Sequence, residues 1–111
     1  MKPLLTCCGT DEGEEFTGAT EENQLRFIDK FKYLAIDFDV WWIDAGWNSC
    51  LNAEHKRKWT STGTWEVDIA RVPNGLKPIS DRANVRGADL LVGFEPERVQ
   101  LGTKFEVEHP E

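Results

Sequence analysis

Aromatic rings and carboxylates recur together at three points of this chain. They stand in Trp41-Trp42-Ile43-Asp44-Ala45-Gly46-Trp47, in Gly63-Thr64-Trp65-Glu66-Val67-Asp68 and in Phe94-Glu95-Pro96-Glu97. A flat indole ring covers the C–H face of a sugar, and a carboxylate accepts hydrogen bonds from its hydroxyls. The pattern therefore points to carbohydrate chemistry. Other chemistries find less support. The three cysteines (Cys7, Cys8, Cys50) are odd in number, with two adjacent and no CxxC spacing. They suggest neither a disulfide framework nor a thiol–disulfide motif. The two histidines, His55 and His109, are isolated, so no metal site is expected. A catalytic thiol at Cys8 would need a base, and no His-containing partner motif accompanies it.

The elements that must hold these side chains can be read from periodicity. Residues 4–9 form a short strand ending at Gly9. A polar, acidic loop follows over 10–18. Thr20 is a good helix N-cap, and Glu21 and Glu22 then sit in the positive first turn. Leu25, Ile28, Phe31 and Ala35 recur at helical spacing, with Phe27 and Leu34 widening the stripe, which predicts a helix over 20–35. Residues 38–44 contain the apolar run Val40-Trp41-Trp42-Ile43, as expected of a strand covered on both faces; both tryptophans then read as core.

A connection without clear periodicity runs over 46–74, and loops of that length are usually functional. Asn74-Gly75 opens a second helix with Leu76, Ile79 and Ala83 on its apolar side and Gly87 at its stop. Residues 90–94 give a third strand, and Gly102-Thr103 starts a third helix. Strand, helix and strand in alternation predict an α/β domain with a parallel sheet, either open or wound into a barrel.

The open, doubly wound alternative should carry a glycine-rich phosphate loop. Gly9-Thr10-Asp11-Glu12-Gly13 lacks the GxGxxG spacing and places acids where a phosphate would sit. In a (β/α)8 barrel the active site gathers at the C-terminal ends of the strands and in the loops that follow. Cys8, Asp44, Trp47, Glu95 and Glu97 fall at such ends, and Trp65, Glu66 and Asp68 lie on the long loop. All would converge on one face.

At these residues the chain resembles the alpha-galactosidase (melibiase-type) glycoside hydrolases, family 36-like. The likeness runs from Thr20-Glu21-Glu22-Asn23-Gln24-Leu25-Arg26 through Trp41-Trp42-Ile43-Asp44-Ala45-Gly46-Trp47, Gly63-Thr64-Trp65-Glu66-Val67-Asp68, Pro73-Asn74-Gly75-Leu76 and Phe94-Glu95-Pro96-Glu97-Arg98-Val99 to His109-Pro110-Glu111. Single motifs are weak; their order and spacing together are specific. The resemblance implies a TIM-type (β/α)8 barrel of which residues 1–111 are an N-terminal part, with about three β/α units. It implies cofactor-free hydrolysis of terminal alpha-galactosides with retention. Retention uses two carboxyl groups about 5–5.5 Å apart. By analogy both catalytic aspartates follow later strands, beyond Glu111, so the isolated chain is expected to be inactive.

What the resemblance leaves in this chain is part of the sugar pocket. Asp44 accepts from sugar hydroxyls and Trp65 walls the subsite. Glu95, Glu97 and Arg98 join them, or form a Glu–Arg pair that braces the strand end. Asp68 is a pocket or a turn residue, and Trp47 walls the pocket or packs beneath it. Three positions depart from the family pattern: Ala45 replaces a second Asp, Gly93 replaces a Trp and Asn84 replaces a His.

Length and charge bound the rest. The chain has 111 residues, a limit of one domain, with a net charge of −7. An acidic chain whose one basic run is Lys56-Arg57-Lys58 is a poor ligand for nucleic acid or anionic membranes. The expected partner is an alpha-galactoside or related sugar, and a homo-oligomeric parent is compatible with the resemblance. There is no apolar run long enough for a transmembrane helix and no signal-peptide pattern, which places the chain in the cytoplasm or its N-terminus upstream. Three parallel strands with two open edges should make the isolated chain marginal, oligomeric or aggregation-prone. The competing reading is a truncated, non-catalytic relic or weak sugar-binding remnant.

Overall fold

The structure is a computed structural model and describes residues 6–8, 18–49, 62–95 and 97–109. The expectations for most of the 10–18 loop, for Cys50, His55 and Lys56-Arg57-Lys58, and for the Cys8 side chain lie outside what it describes. Six elements follow in chain order among the described residues: β1 (Thr6–Cys8), α1 (Glu21–Tyr33), β2 (Val40–Ile43), α2 (Lys77–Asn84), β3 (Asp89–Val92) and α3 (Lys104–Glu108). The strands form a parallel sheet of order β1-β2-β3. Cys7 lies beside Trp41, Trp41 beside Leu90, and Trp42 beside Leu91. The alternation expected from the sequence is thus the alternation observed.

Helix α1 starts as predicted. Thr20 is extended, and its hydroxyl accepts from the Asn23 N–H at 3.2 Å. Glu21 and Glu22 occupy the first turn, Lys30 and Lys32 the last, each sign at the end of the helix dipole that favours it. The helix stops two residues before the predicted end. Ala35 turns left-handed (φ 55°) and the Ile36 N–H reaches back to the Phe31 carbonyl at 2.9 Å. That closure satisfies a terminal carbonyl but strains a residue with a Cβ. Leu34 and Ala35 are consequently exposed rather than part of the apolar stripe. Ala35→Gly is expected to stabilise the fold by about 1 kcal/mol, because relief of the left-handed strain outweighs the extra freedom of the unfolded chain. A lower denaturation midpoint for the variant would contradict this.

The core lies on one side of the sheet. Trp41 and Ile43 of β2 point toward α1 and α2 and are buried with Ile28, Phe38, Val72, Ile79, Ala83 and Ala88. Phe31, Phe38 and Trp41 meet edge-on or tilted at 5.2–6.0 Å between ring centroids, the geometry aromatic quadrupoles favour. One buried polar group joins them. Gln24 accepts from Trp41 Nε1 at 2.7 Å and donates through Nε2 to the Gly18 carbonyl at 2.7 Å. Two further ties hold the helices together. Asn74 Nδ2 donates to the buried Glu21 carboxylate, and Arg86 donates to the Ile28 and Ile36 carbonyls while lying over the Phe38 ring.

The expectation of cover on both sheet faces is corrected. Side chains alternate along a strand. Because Trp41 faces the helices, Trp42 faces away and is 38% exposed, and Leu91 beside it is 50% exposed. No described element covers that face. Among the described residues Trp42 therefore lies outside the core cluster.

Local details follow the expected chemistry elsewhere. Pro78 stands in the first turn of α2, and Gly87 is left-handed just past its end (φ 78°). Thr103 caps α3 by accepting from the Glu106 N–H, while the Glu106 carboxylate accepts from the Gly102 N–H at 3.0 Å. This reciprocal pair satisfies two amide donors at the helix start. β3 begins at Asp89, one residue earlier than predicted, and ends at Val92; Gly93 still donates its N–H to the Ile43 carbonyl at 2.9 Å.

Candidate carbohydrate site

Strand β2 delivers Asp44 just past its C-terminal end, and β3 delivers Gly93, Phe94 and Glu95 just past its own. With Trp42, Ala45 and Trp65 they line one open recess of about 170 Å³. Asp44 is half-buried, and its Oδ1 accepts from the Ala45 N–H at 2.8 Å, which fixes the carboxylate at the recess wall. One indole, one half-exposed second indole and two carboxylates thus share a concave surface. That combination can stack a sugar ring and accept its hydroxyl protons.

Trp65 comes from the long connection, of which the structure describes residues 46–49 and 62–74. Its two ends pair antiparallel: Asn48 bridges Val67, Ser49 N–H donates to the Glu66 carbonyl at 2.9 Å, and Asp68 N–H donates to the Trp47 carbonyl at 2.9 Å. Arg71 Nη1 adds a bond to the Gly46 carbonyl at 2.8 Å. The 62–66 stretch then docks on the start of α3. Thr62 O accepts from Gln100 N–H, Thr64 Oγ1 accepts from Phe105 N–H, and Lys104 pairs with Glu66 at 3.1 Å. The hydrogen bond and charge of Glu66, with Glu108 nearby, raise the pKa of the Lys104 ammonium above the ordinary lysine value.

Gly63 permits this approach. A Cβ there would lie 2.7 Å from Thr103 Oγ1 and 2.9 Å from the Gln100 backbone nitrogen. Gly63→Ala is expected to lift the segment off α3 at a cost of about 1–3 kcal/mol, as overpacking does. The near-ultraviolet signal of Trp65 should change with it. An unaltered melt and spectrum would show that the segment yields freely.

The predicted site residues separate into groups. Asp44, Trp65 and Glu95 meet at the recess. Trp47 is buried beneath it, with Nε1 donating to the Gly93 carbonyl at 3.0 Å and its ring 6.1 Å from Trp65. Asp68 accepts from the Ala70 N–H at 3.0 Å and begins the turn that leads to Val72, so it serves the backbone. Arg98 pairs with Glu95 through Nε. Glu97 is exposed and, with Glu95, Arg98, Val99 and Gln100, lines a neighbouring hollow. Trp42, Gly93 and Phe94 also line the recess and were not among the sequence candidates. For Trp42 the signal existed: it stands two residues before Asp44, hence on the same strand face. Among the described residues no group of three or more His, Cys, Asp or Glu side chains is placed to hold a metal ion. Nor is any described helix long and apolar enough to cross a membrane.

No family model matches the chain. It is 29% identical over 91 residues to Alpha-galactosidase Mel36A of Lactobacillus acidophilus, covering 82% of this chain and 12% of that protein. It is 27% identical over 84 residues to Alpha-galactosidase 1 of Pediococcus pentosaceus, covering 76% of this chain and 11% of the relative. The chain thus spans about an eighth of the length of the curated relatives it matches. Among solved structures, GH36 alpha-galactosidase AgaA from Geobacillus stearothermophilus superposes on 97% of this chain and 14% of its own, with a TM-score of 0.75 at 22% identity. AgaB from the same organism gives 0.76 at 21%. The fold is a segment of α/β architecture with a parallel sheet. The chain resembles the GH36 alpha-galactosidases over most of its length.

Proposed function

We propose that this chain forms part of the sugar pocket of a glycoside hydrolase that removes terminal alpha-galactosyl groups with retention. Its three strands are then the first three of a (β/α)8 barrel, and residues 1–111 are one piece of that domain. The observation that carries the reading is the meeting of Asp44, Trp65 and Glu95 at the C-terminal ends of β2 and β3, the end of a barrel where active sites assemble. Two supports come from the relatives: the curated ones are alpha-galactosidases, and variants of AgaA were solved in complex with raffinose and stachyose. Asp44 accepts from the sugar hydroxyls, and the Trp65 ring covers a C–H face. Arg98 holds the Glu95 carboxylate in place. The nucleophile and the acid/base stand outside this chain, and no cofactor takes part.

The test has two arms. Galactose should give ligand-observed NMR saturation transfer with the 111-residue chain, and Trp65→Ala should reduce it. An aryl alpha-galactoside should be left intact by this chain and cleaved by a protein that extends it through the remaining barrel. Turnover by the homogeneous chain would move the catalytic pair into it. Failure of the extended protein to cleave the galactoside, while cleaving another glycoside, would remove the substrate assignment.

A further inference from the structure

A second, larger concavity opens where the 62–66 stretch docks on α3. It holds about 250 Å³, and its walls are the rings of Trp65, Phe94 and Phe105 together with Val99. Trp65 and Phe94 also line the sugar recess, so the two spaces share a wall. These two rings meet edge to face, 5.0 Å apart at 87°, and their planes make a right-angled corner. Phe105 is held by its N–H, which donates to Thr64 Oγ1 at 3.0 Å, and by His109, whose ring packs 4.7 Å away. Phe94 and Phe105 are 55% and 45% exposed and take no part in the core cluster. Their surface is therefore available to a guest.

The rim gives that surface a sign. It carries two carboxylates, Glu66 and Glu108, against one ammonium, Lys104. Lys104 is committed to Glu66, with Nζ 3.1 and 3.2 Å from its two oxygens. The Glu108 carboxylate has neither a hydrogen bond nor an ion pair among the described residues. The field here favours positive charge: the bond to Glu66, with the charges of Glu66 and Glu108, raises the pKa of Lys104. Aromatic faces act in the same direction, since their quadrupole attracts a cation within about 6 Å of the ring centroid. An anion would meet only carbon and an uncompensated carboxylate. A sugar carries more hydroxyls than this lining can bond. An alkylated ammonium group needs only ring faces and one carboxylate, and rings around such a group are a recurrent means of binding it.

We infer that this cavity is a binding site for an organic cation, an alkylated ammonium group seated against Trp65, Phe94 and Phe105 with Glu108 beside its charge. The site lies outside the sugar recess and stands or falls apart from the reading of that recess. Choline is the probe, and its neutral tert-butyl analogue, of the same shape, is the control. Each is titrated into the full chain and followed by ligand-observed NMR saturation transfer. Choline should bind, and the analogue should bind about fivefold more weakly. Phe105→Leu keeps apolar bulk without the ring face and should weaken choline about two- to fivefold. Glu108→Gln should weaken choline about two- to threefold and leave the analogue unchanged, as loss of one exposed charge does. Both positions are exposed, so both variants should melt close to the parent. Asp44→Ala, which alters only the recess, should leave choline binding as it was. Absence of choline binding, or equal binding of the two probes, would overturn the inference. So would undiminished choline binding in both Phe105→Leu and Glu108→Gln, or its loss in Asp44→Ala, which would place the cation in the recess.

Discussion

Asp44→Ala is expected to weaken galactose binding about ten- to hundredfold, the equivalent of one hydrogen bond to a charged group, roughly 1.5–3 kcal/mol. The carboxylate sits at the recess wall, and among the described residues only one of its oxygens is engaged, accepting from the Ala45 N–H. The other is free to take a sugar hydroxyl. Asp44→Asn separates this role from a local structural one. The amide oxygen can still accept from Ala45 N–H, so the turn should survive, while the charge and one acceptor are lost. Asn should therefore melt like the parent and bind like Ala. Titration of both variants with galactose, beside their thermal melts, checks the pair. Undiminished affinity in a well-folded Asp44→Ala would show that the sugar does not touch this residue.

The second large effect concerns stability. Gln24→Leu should cost about 1–3 kcal/mol, because it leaves the buried Trp41 Nε1 without its acceptor. Trp41 Nε1 donates to the fully buried Gln24 side chain at 2.7 Å, whereas the Gly18 carbonyl, which Gln24 Nε2 also reaches at 2.7 Å, keeps the Thr20 N–H at 2.9 Å. Trp41→Phe removes the indole N–H, though it also shrinks the ring and opens some space. If the hydrogen bond carries the effect, Gln24→Leu should cost less in the Trp41→Phe background than alone, and a double-mutant cycle measures that coupling. Additive losses would mean that Gln24 acts through packing. Since total stability of a small domain is about 5–15 kcal/mol, the single variant should be clearly visible by denaturation.

Much of the fold was legible because its local signals agree. Thr20 with Glu21 and Glu22 announced α1, Asn74-Gly75 and Pro78 announced α2, and Thr103 announced α3. The site was legible where a residue follows a strand end directly, as Asp44 and Glu95 do. It was less legible where tertiary packing decides. Trp47 and Trp65 both follow β2 and differ little in local sequence, yet one lies beneath the recess and the other at its wall. Their fates depend on the antiparallel pairing at Asn48 and Val67 and on the docking of Gly63 against Gln100 and Thr103. Neither contact has a local signature. Trp42 shows a different failure. The run Val40-Trp41-Trp42-Ile43 suits a strand buried on both faces, whereas only the helix-facing side is covered among the described elements. Composition states that residues are apolar, and the cover they meet is settled by what else packs there.

The one-sided sheet has a consequence for how the backbone opens. β2 is the central strand, hydrogen-bonded to β1 on one side and β3 on the other, and its Trp41 and Ile43 are sealed by the helices. β3 is paired only with β2 among the described strands, and its Asp89 and Leu91 face solvent. Amide protons of β2 should exchange with deuterium at the rate of global unfolding, while those of β3 that point away from β2 should exchange through local openings. A ligand seated on Trp42 and Asp44 would then slow exchange at β3 before it altered β2. Protection in this chain should therefore spread outward from the tryptophan strand.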